Sequence, residues 1–192
     1  MMYGSRMVWL TVTLGVLLLL PFSTPGPATA APAQPGHGHG TSNAVQATPE
    51  EQANAARLLA DVKAGIAKYA SLQAAVADGY VSKKSFGPEA RTAHFRNKAF
   101  AMDDRILDAA RPEGLVYMHT PEGRTVLLGA FFIAPRGQGP RPGGPLTEWH
   151  THNELGRFEM MHVWIVFDKP DPVAFGRMTR ELRQAALEYA TR

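Results

Sequence analysis

The chain has 192 residues and 45% hydrophobic content, with 20 Lys and Arg against 17 Asp and Glu, a net charge of +3, and no cysteine. That excludes disulfide staples, thiol nucleophiles and thiolate metal ligands. The basic residues are scattered rather than massed, which argues against a nucleic-acid or polybasic membrane surface.

The first thirty residues read as an export signal. Arg6 supplies the positive start, Met7 to Phe22 is an uncharged apolar run, and Pro21, Pro25 and Pro27 break it. Ala28-Thr29-Ala30 and Ala31-Pro32-Ala33 are alternative small-x-small cleavage sites. The rival reading is a retained anchor, but the run is shorter than the roughly 20 apolar residues a span needs. A secreted or extracytoplasmic location is therefore expected, with no stable membrane insertion after cleavage near Ala30 or Ala33. Residues 31–47 are rich in Ala, Pro, Gly and His and nearly empty of large apolar side chains, which reads as a flexible tether. His37 and His39 lie in it, and a polar linker is the reading preferred over a weak metal site.

One domain is expected over 48–192. Thr48-Pro49-Glu50-Glu51 is a capping box with proline at the first helical position. Leu58, Val62, Ile66, Tyr69, Leu72, Val76 and Tyr80 continue a helical stripe that Gly79 ends, with a break point near Ser71. Thr92 to Asn97, Gly114 to His119 and Arg124 to Ala134 read as strands, and Ala99 to Ala110 as one or two helical turns. Thr120-Pro121-Glu122-Gly123 makes a hairpin turn. The run from Val126 to Ile133 is apolar on both faces, as a central covered strand would be. Leu146 to His152 and Met160 to Phe167 read as a further strand pair, and Val173 to Ala190 as a closing helix bearing Phe175, Met178, Leu182, Ala186 and Tyr189. The sum is an α+β domain: a long N-terminal helix, an antiparallel sheet of about five strands and a C-terminal helix.

The histidines carry the chemical signal. On an extended chain Glu148, His150 and His152 share a face, as do Met160, His162 and Trp164. A symmetric loop over 153–159 would set His152 opposite Met160, His150 opposite His162 and Glu148 opposite Trp164. Imidazoles with a thioether and a carboxylate nearby suit zinc or copper, and His94 and His119 are further candidates. A register slip of one residue would send His162 to the other face. Half-buried histidines bonded to backbone or water are the competing reading. Gly144 followed by His150-Thr151-His152 matches the opening of the cupin metal motif, but Gly156 and Arg157 stand where that motif needs glutamate. Asp103-Asp104 reads as a turn cap, and Arg136 and Arg141 as solvated loop charges. No Gly-x-Ser-x-Gly motif is present.

Several short pieces also form a pattern: Ala77-Asp78-Gly79-Tyr80, His94-Phe95-x-Asn97, Pro112-Glu113-Gly114-Leu115-Val116-Tyr117, Leu128-Gly129-Ala130-Phe131-Phe132, Trp149-His150-x-His152 and His162-Val163-Trp164. In these the chain resembles a family of exported bacterial proteins, frequent in actinomycetes, that has no established activity. The resemblance implies export and a compact domain, and singles out His94, His150, His152 and His162 but not His119. Two functional expectations stand side by side. One is a monomeric exported domain binding zinc or copper through those four histidines, for metal handling or for simple hydrolysis with Glu148 or Glu159 as base. The other is a metal-free binding module whose pocket for a small ligand is walled by Trp149, Trp164, Phe131 and Phe132.

Overall fold

The computed structural model describes residues 46–83, 86, 91–170 and 172–192. The signal segment (1–30) and the tether through residue 45, with His37 and His39, lie outside the described residues. Among the described residues no helix is long and apolar enough to cross a membrane.

Helix α1 (Pro49–Ile66) starts where the capping box requires. The Glu51 N–H donates to Thr48 Oγ1 at 3.2 Å, and the Thr48 N–H donates to Glu51 Oε2 at 2.7 Å. Its apolar stripe buries Leu58, Leu59, Val62 and Ile66. The expected helix then breaks: residues Ala67–Tyr69 tighten into a 3-10 turn, and α2 (Leu72–Ala77) restarts from Ser71. The sheet is a five-stranded antiparallel meander in sequence order: β1 (Tyr80–Val81), β2 (Thr92–Asn97), β3 (Gly114–His119), β4 (Thr125–Pro135) and β5 (Phe158–Trp164). The α+β class with an antiparallel sheet is thus observed. β4 lies between two apolar layers. Leu59, Val62 and Ile66 of α1 meet Leu115, Tyr117, Phe132 and Val163 on one face. Leu182, Ala186 and Ala190 of α3 (Arg180–Ala190) meet Val116, Leu128 and Trp164 on the other.

Three expectations are corrected. Leu146 to His152 is not a strand; Tyr80–Val81 supplies the fifth instead. Pro145 has no N–H to donate, Thr147 Oγ1 accepts from the Gly143 N–H, and the Trp149 indole donates to the Pro140 carbonyl, so this stretch folds into its own loop. The strand expected at Met160 to Phe167 runs from Phe158 to Trp164. The closing helix begins at Arg180, not Val173: Thr179 caps it by accepting from the Leu182 N–H at 3.1 Å, and the segment before it bridges Phe175 to Val163 of β5.

Substituting Thr48→Ala removes the oxygen that satisfies the Glu51 N–H. A loss of about 1 kcal/mol is expected, read in urea melts as a lower midpoint at unchanged slope. An unchanged midpoint would show that the cap contributes nothing.

Candidate functional site

Parity holds while register does not. His150 forms a bridge with Met160, its N–H and C=O each making a 2.8 Å bond, where His152 was expected. The shift is two residues, and a shift of two returns each side chain to the face it left. The 3-10 turn Asn153–Leu155 and Gly156, at φ 56°, take up the chain between. His162 therefore faces Phe131 of β4 across the ladder rather than His150. Even so, the His150 and His162 rings lie nearly parallel with centroids 5.3 Å apart.

The four histidines singled out in the sequence come together as a chain. His94 Nε2 lies 3.0 Å from His162 Nε2, the His150 ring lies beside His162, and His152 is 4.9 Å from His150 between centroids. His162 and His150 are the floor, 4% and 5% exposed; His152 is half-buried and His94 exposed at the rim. Trp164 lies parallel to His162 at 4.8 Å, and Phe131 touches both His94 and His162. His119 is elsewhere, at the end of β3 beside Thr125 and Phe86.

A β-bulge makes this possible. Val116 pairs with Gly129 but Tyr117 pairs with Leu127, so Leu128 is an extra residue in β4. The insertion reverses the alternation and turns Phe131 toward His162, although simple alternation from Leu127 would have put it with α1. The curl of the sheet does the rest. β3 and β4 stand between His94 and His162, and at the usual spacing of neighbouring strands a flat sheet would hold their backbones about 14 Å apart. Gly129 permits the tight approach of β4 to β5, because a Cβ there would lie 2.2 Å from the Val163 carbonyl oxygen. Gly114 leaves the surface over which the Phe131 ring lies; a Cβ there would be 1.9 Å from that ring.

The two buried rings are held in the neutral form. Burial, with smaller contributions from His152 and Arg177, lowers the His150 pKa to about 4. Burial also holds His162 well below the ordinary histidine range, with His94, His150 and His152 adding to the effect. Both ring nitrogens of His150, and Nδ1 of His162, are buried without a hydrogen-bond partner in the structure. An orphaned buried polar atom ordinarily costs about 1–3 kcal/mol, so their clustering needs an explanation.

Other expected members do not join. Glu159 is buried on the opposite face, accepting from the Gly139 N–H at 2.9 Å, which removes it as a base beside the histidines. Met160 is the exception: it bridges His150 and keeps to the face of His162, packed with Phe131 and Trp164. The four-aromatic wall does not form: Phe132 and Trp149 lie in the layer under α1, Phe131 and Trp164 in the layer under α3. Asp103 caps a turn through the Arg105 N–H and pairs with Arg111. Sequence reasoning missed Arg177, whose guanidinium donates to the Thr151 carbonyl at 3.0 Å, between His150 and His152. No sequence motif marks it, because the Phe175 bridge brings it there.

Two imidazoles on one tetrahedral zinc at the usual bond length would set their nitrogens about 3.3 Å apart and ring centroids about 5 Å apart. The observed pairs lie near those spacings. Among the described residues, however, no three His, Asp or Glu side chains surround a single point as a metal site would require. The all-imidazole donor set is one a transition metal takes, while the 3.0 Å separation of His94 Nε2 and His162 Nε2 is that of a hydrogen bond.

The depressed pKa of His150 makes stability pH-dependent. The unfolded chain takes up the proton near the ordinary value of about 6.5 and the folded chain only near 4, so the stabilisation is complete above pH 6.5 and is lost as pH falls toward 4. Between pH 7 and pH 5 the metal-free domain should lose about 2 kcal/mol through His150 alone. Urea melts at the two pH values check this, and His150→Phe should flatten the difference. A variant with the wild-type pH dependence would refute the assignment.

Comparison with protein-family models, with curated proteins and with solved structures finds no match to this chain.

Proposed function

We propose that this is an exported domain that binds one transition-metal ion, zinc or copper, through His162 and His150 with His94 and His152 at the rim. The observation that carries the reading is the set of orphaned ring nitrogens on His150 and His162, buried in a cluster of four imidazoles. Their lowered pKa values keep the rings neutral near pH 7, and a neutral imidazole is the form that ligates. An all-imidazole donor set without thiolate suits Zn(II) and Cu(II). Glu159 faces away from the cluster, which removes one of the two carboxylates that hydrolysis could use as base.

The test uses the chain lacking residues 1–30, with His37→Ala and His39→Ala to silence the tether. Zn(II) or Cu(II) at about one hundred times its Kd should add about 2.7 kcal/mol, a rise in Tm on the order of 5–10 °C. His150→Ala and His162→Ala should each abolish the rise, and His94→Ala or His152→Ala should reduce it. Elemental analysis showing no metal, with no Tm response to either ion, would reject the reading.

Export is checked separately. N-terminal sequencing of secreted protein should find Ala31 or Gln34 first; a chain that keeps Met7 to Phe22 in the membrane would show an anchor instead.

A further inference from the structure

Arg177 makes no ion pair among the described residues, although its side chain is exposed and well placed for one. Its position is fixed from two sides. The Phe175 bridge to Val163 and the Gly176 N–H, which donates to the His162 carbonyl at 3.1 Å, lock the preceding residues against the outer edge of β5. The Trp164 indole, parallel to the His162 ring, donates to the Gly176 carbonyl at 3.1 Å. The guanidinium itself donates to the Thr151 carbonyl, between two of the cluster's histidines. A single hydrogen bond leaves most of its five N–H donors unused by that contact.

Charge decides what those donors are for. The buried imidazoles contribute none. A divalent ion on them, with Arg177 beside it, would bring three positive charges together. Glu148 is the carboxylate seen beside this segment, exposed, with Oε2 4.0 Å from where a Cβ on Gly176 would stand. The excess attracts an anion, and a planar guanidinium recognises oxyanions by paired hydrogen bonds.

We propose that the open side of the histidine cluster takes a small oxyanion, a carboxylate or phosphate group, held between the bound metal ion and the Arg177 guanidinium. The inference rests on the metal-binding reading above. Arg177 is the residue that selects for negative charge, and His94 and His152 at the rim leave the approach open to solvent.

The test loads the same tether-silenced chain with Cu(II), confirms one ion by elemental analysis, and titrates acetate and inorganic phosphate in separate arms. Each anion is followed by calorimetry and by the shift of the Cu(II) ligand-field band. At least one should bind saturably, and the tighter arm identifies the oxyanion as carboxylate or phosphate. Arg177→Met should weaken that anion about tenfold or more while leaving Cu(II) affinity unchanged, and Arg177→Lys should retain part of the affinity. Glu148→Gln should leave Cu(II) affinity unchanged and tighten the anion. Equal anion affinity in wild type and Arg177→Met, or no spectral response to either anion, overturns the proposal while the metal site stands. Loss of Cu(II) affinity in Glu148→Gln overturns it too, since Glu148 would then be the anionic ligand. A chain that takes up no Cu(II) or Zn(II) rejects both readings, and elemental analysis separates that outcome from the others.

Discussion

The approach of β4 to β5 at Gly129 governs the arrangement of the histidines. A side chain there would collide with the Val163 backbone, so the two strands approach this closely because that position is bare. The curl makes one face of the sheet concave. On that face imidazoles from β2 and β5, with two strands between their backbones, meet nitrogen to nitrogen. Remove the curl and His94 and His162 separate by more than their side chains can span. The bulge at Leu128 acts in the same direction: it turns Phe131 onto the concave face, where its ring covers Gly114 and packs against both histidines. Strand coiling and bulges occur together for a physical reason, since an unpaired residue locally increases the twist.

The two faces of the sheet divide the labour. The α1 face is apolar apart from satisfied groups: the Tyr117 hydroxyl donates to the Tyr69 carbonyl and the Tyr80 hydroxyl to the Pro112 carbonyl. The α3 face has a closed half under Leu182 and Ala186, and an open half where the histidines lie. Stability comes from the first face and the covered half of the second. The open half carries polar atoms that nothing within the fold satisfies. Proteins break the rule that buried polar groups are paired chiefly where function requires it. Here three of the four unpaired atoms among the described residues fall on two adjacent rings, the fourth being Glu113 Oε2.

Much of this was legible in the sequence, and the unread parts have identifiable causes. The capping box, β2 and β3 were readable because local hydrogen bonding and alternation decide them. The shared face of His150 and His162 was readable because parity survives a two-residue slip, even though the proposed pairing did not. Leu146 to His152 misled because alternation is a statement about side chains, whereas strand pairing needs backbone donors free to pair. In this stretch Pro145, Thr147 and Trp149 commit the chain to a loop. The bulge at Leu128 was hidden because every residue from Val126 to Ile133 is apolar or glycine, so the pattern is silent on where alternation reverses. Phe175 fits an amphipathic helix by spacing, yet its bridge to Val163 outweighs that preference.

That last substitution of a bridge for a helical turn has consequences beyond the fold. The outer edge of β5 is closed not by a strand but by two single bridges, His150 to Met160 and Phe175 to Val163. A full strand would have shielded the edge from pairing with other chains equally well. Two short bridges cover the edge while delivering His150 and Arg177 from different parts of the chain to the same rim. The edge of the sheet and the mouth of the site are therefore one structure, and a cation beside neutral imidazoles follows from how that edge is capped.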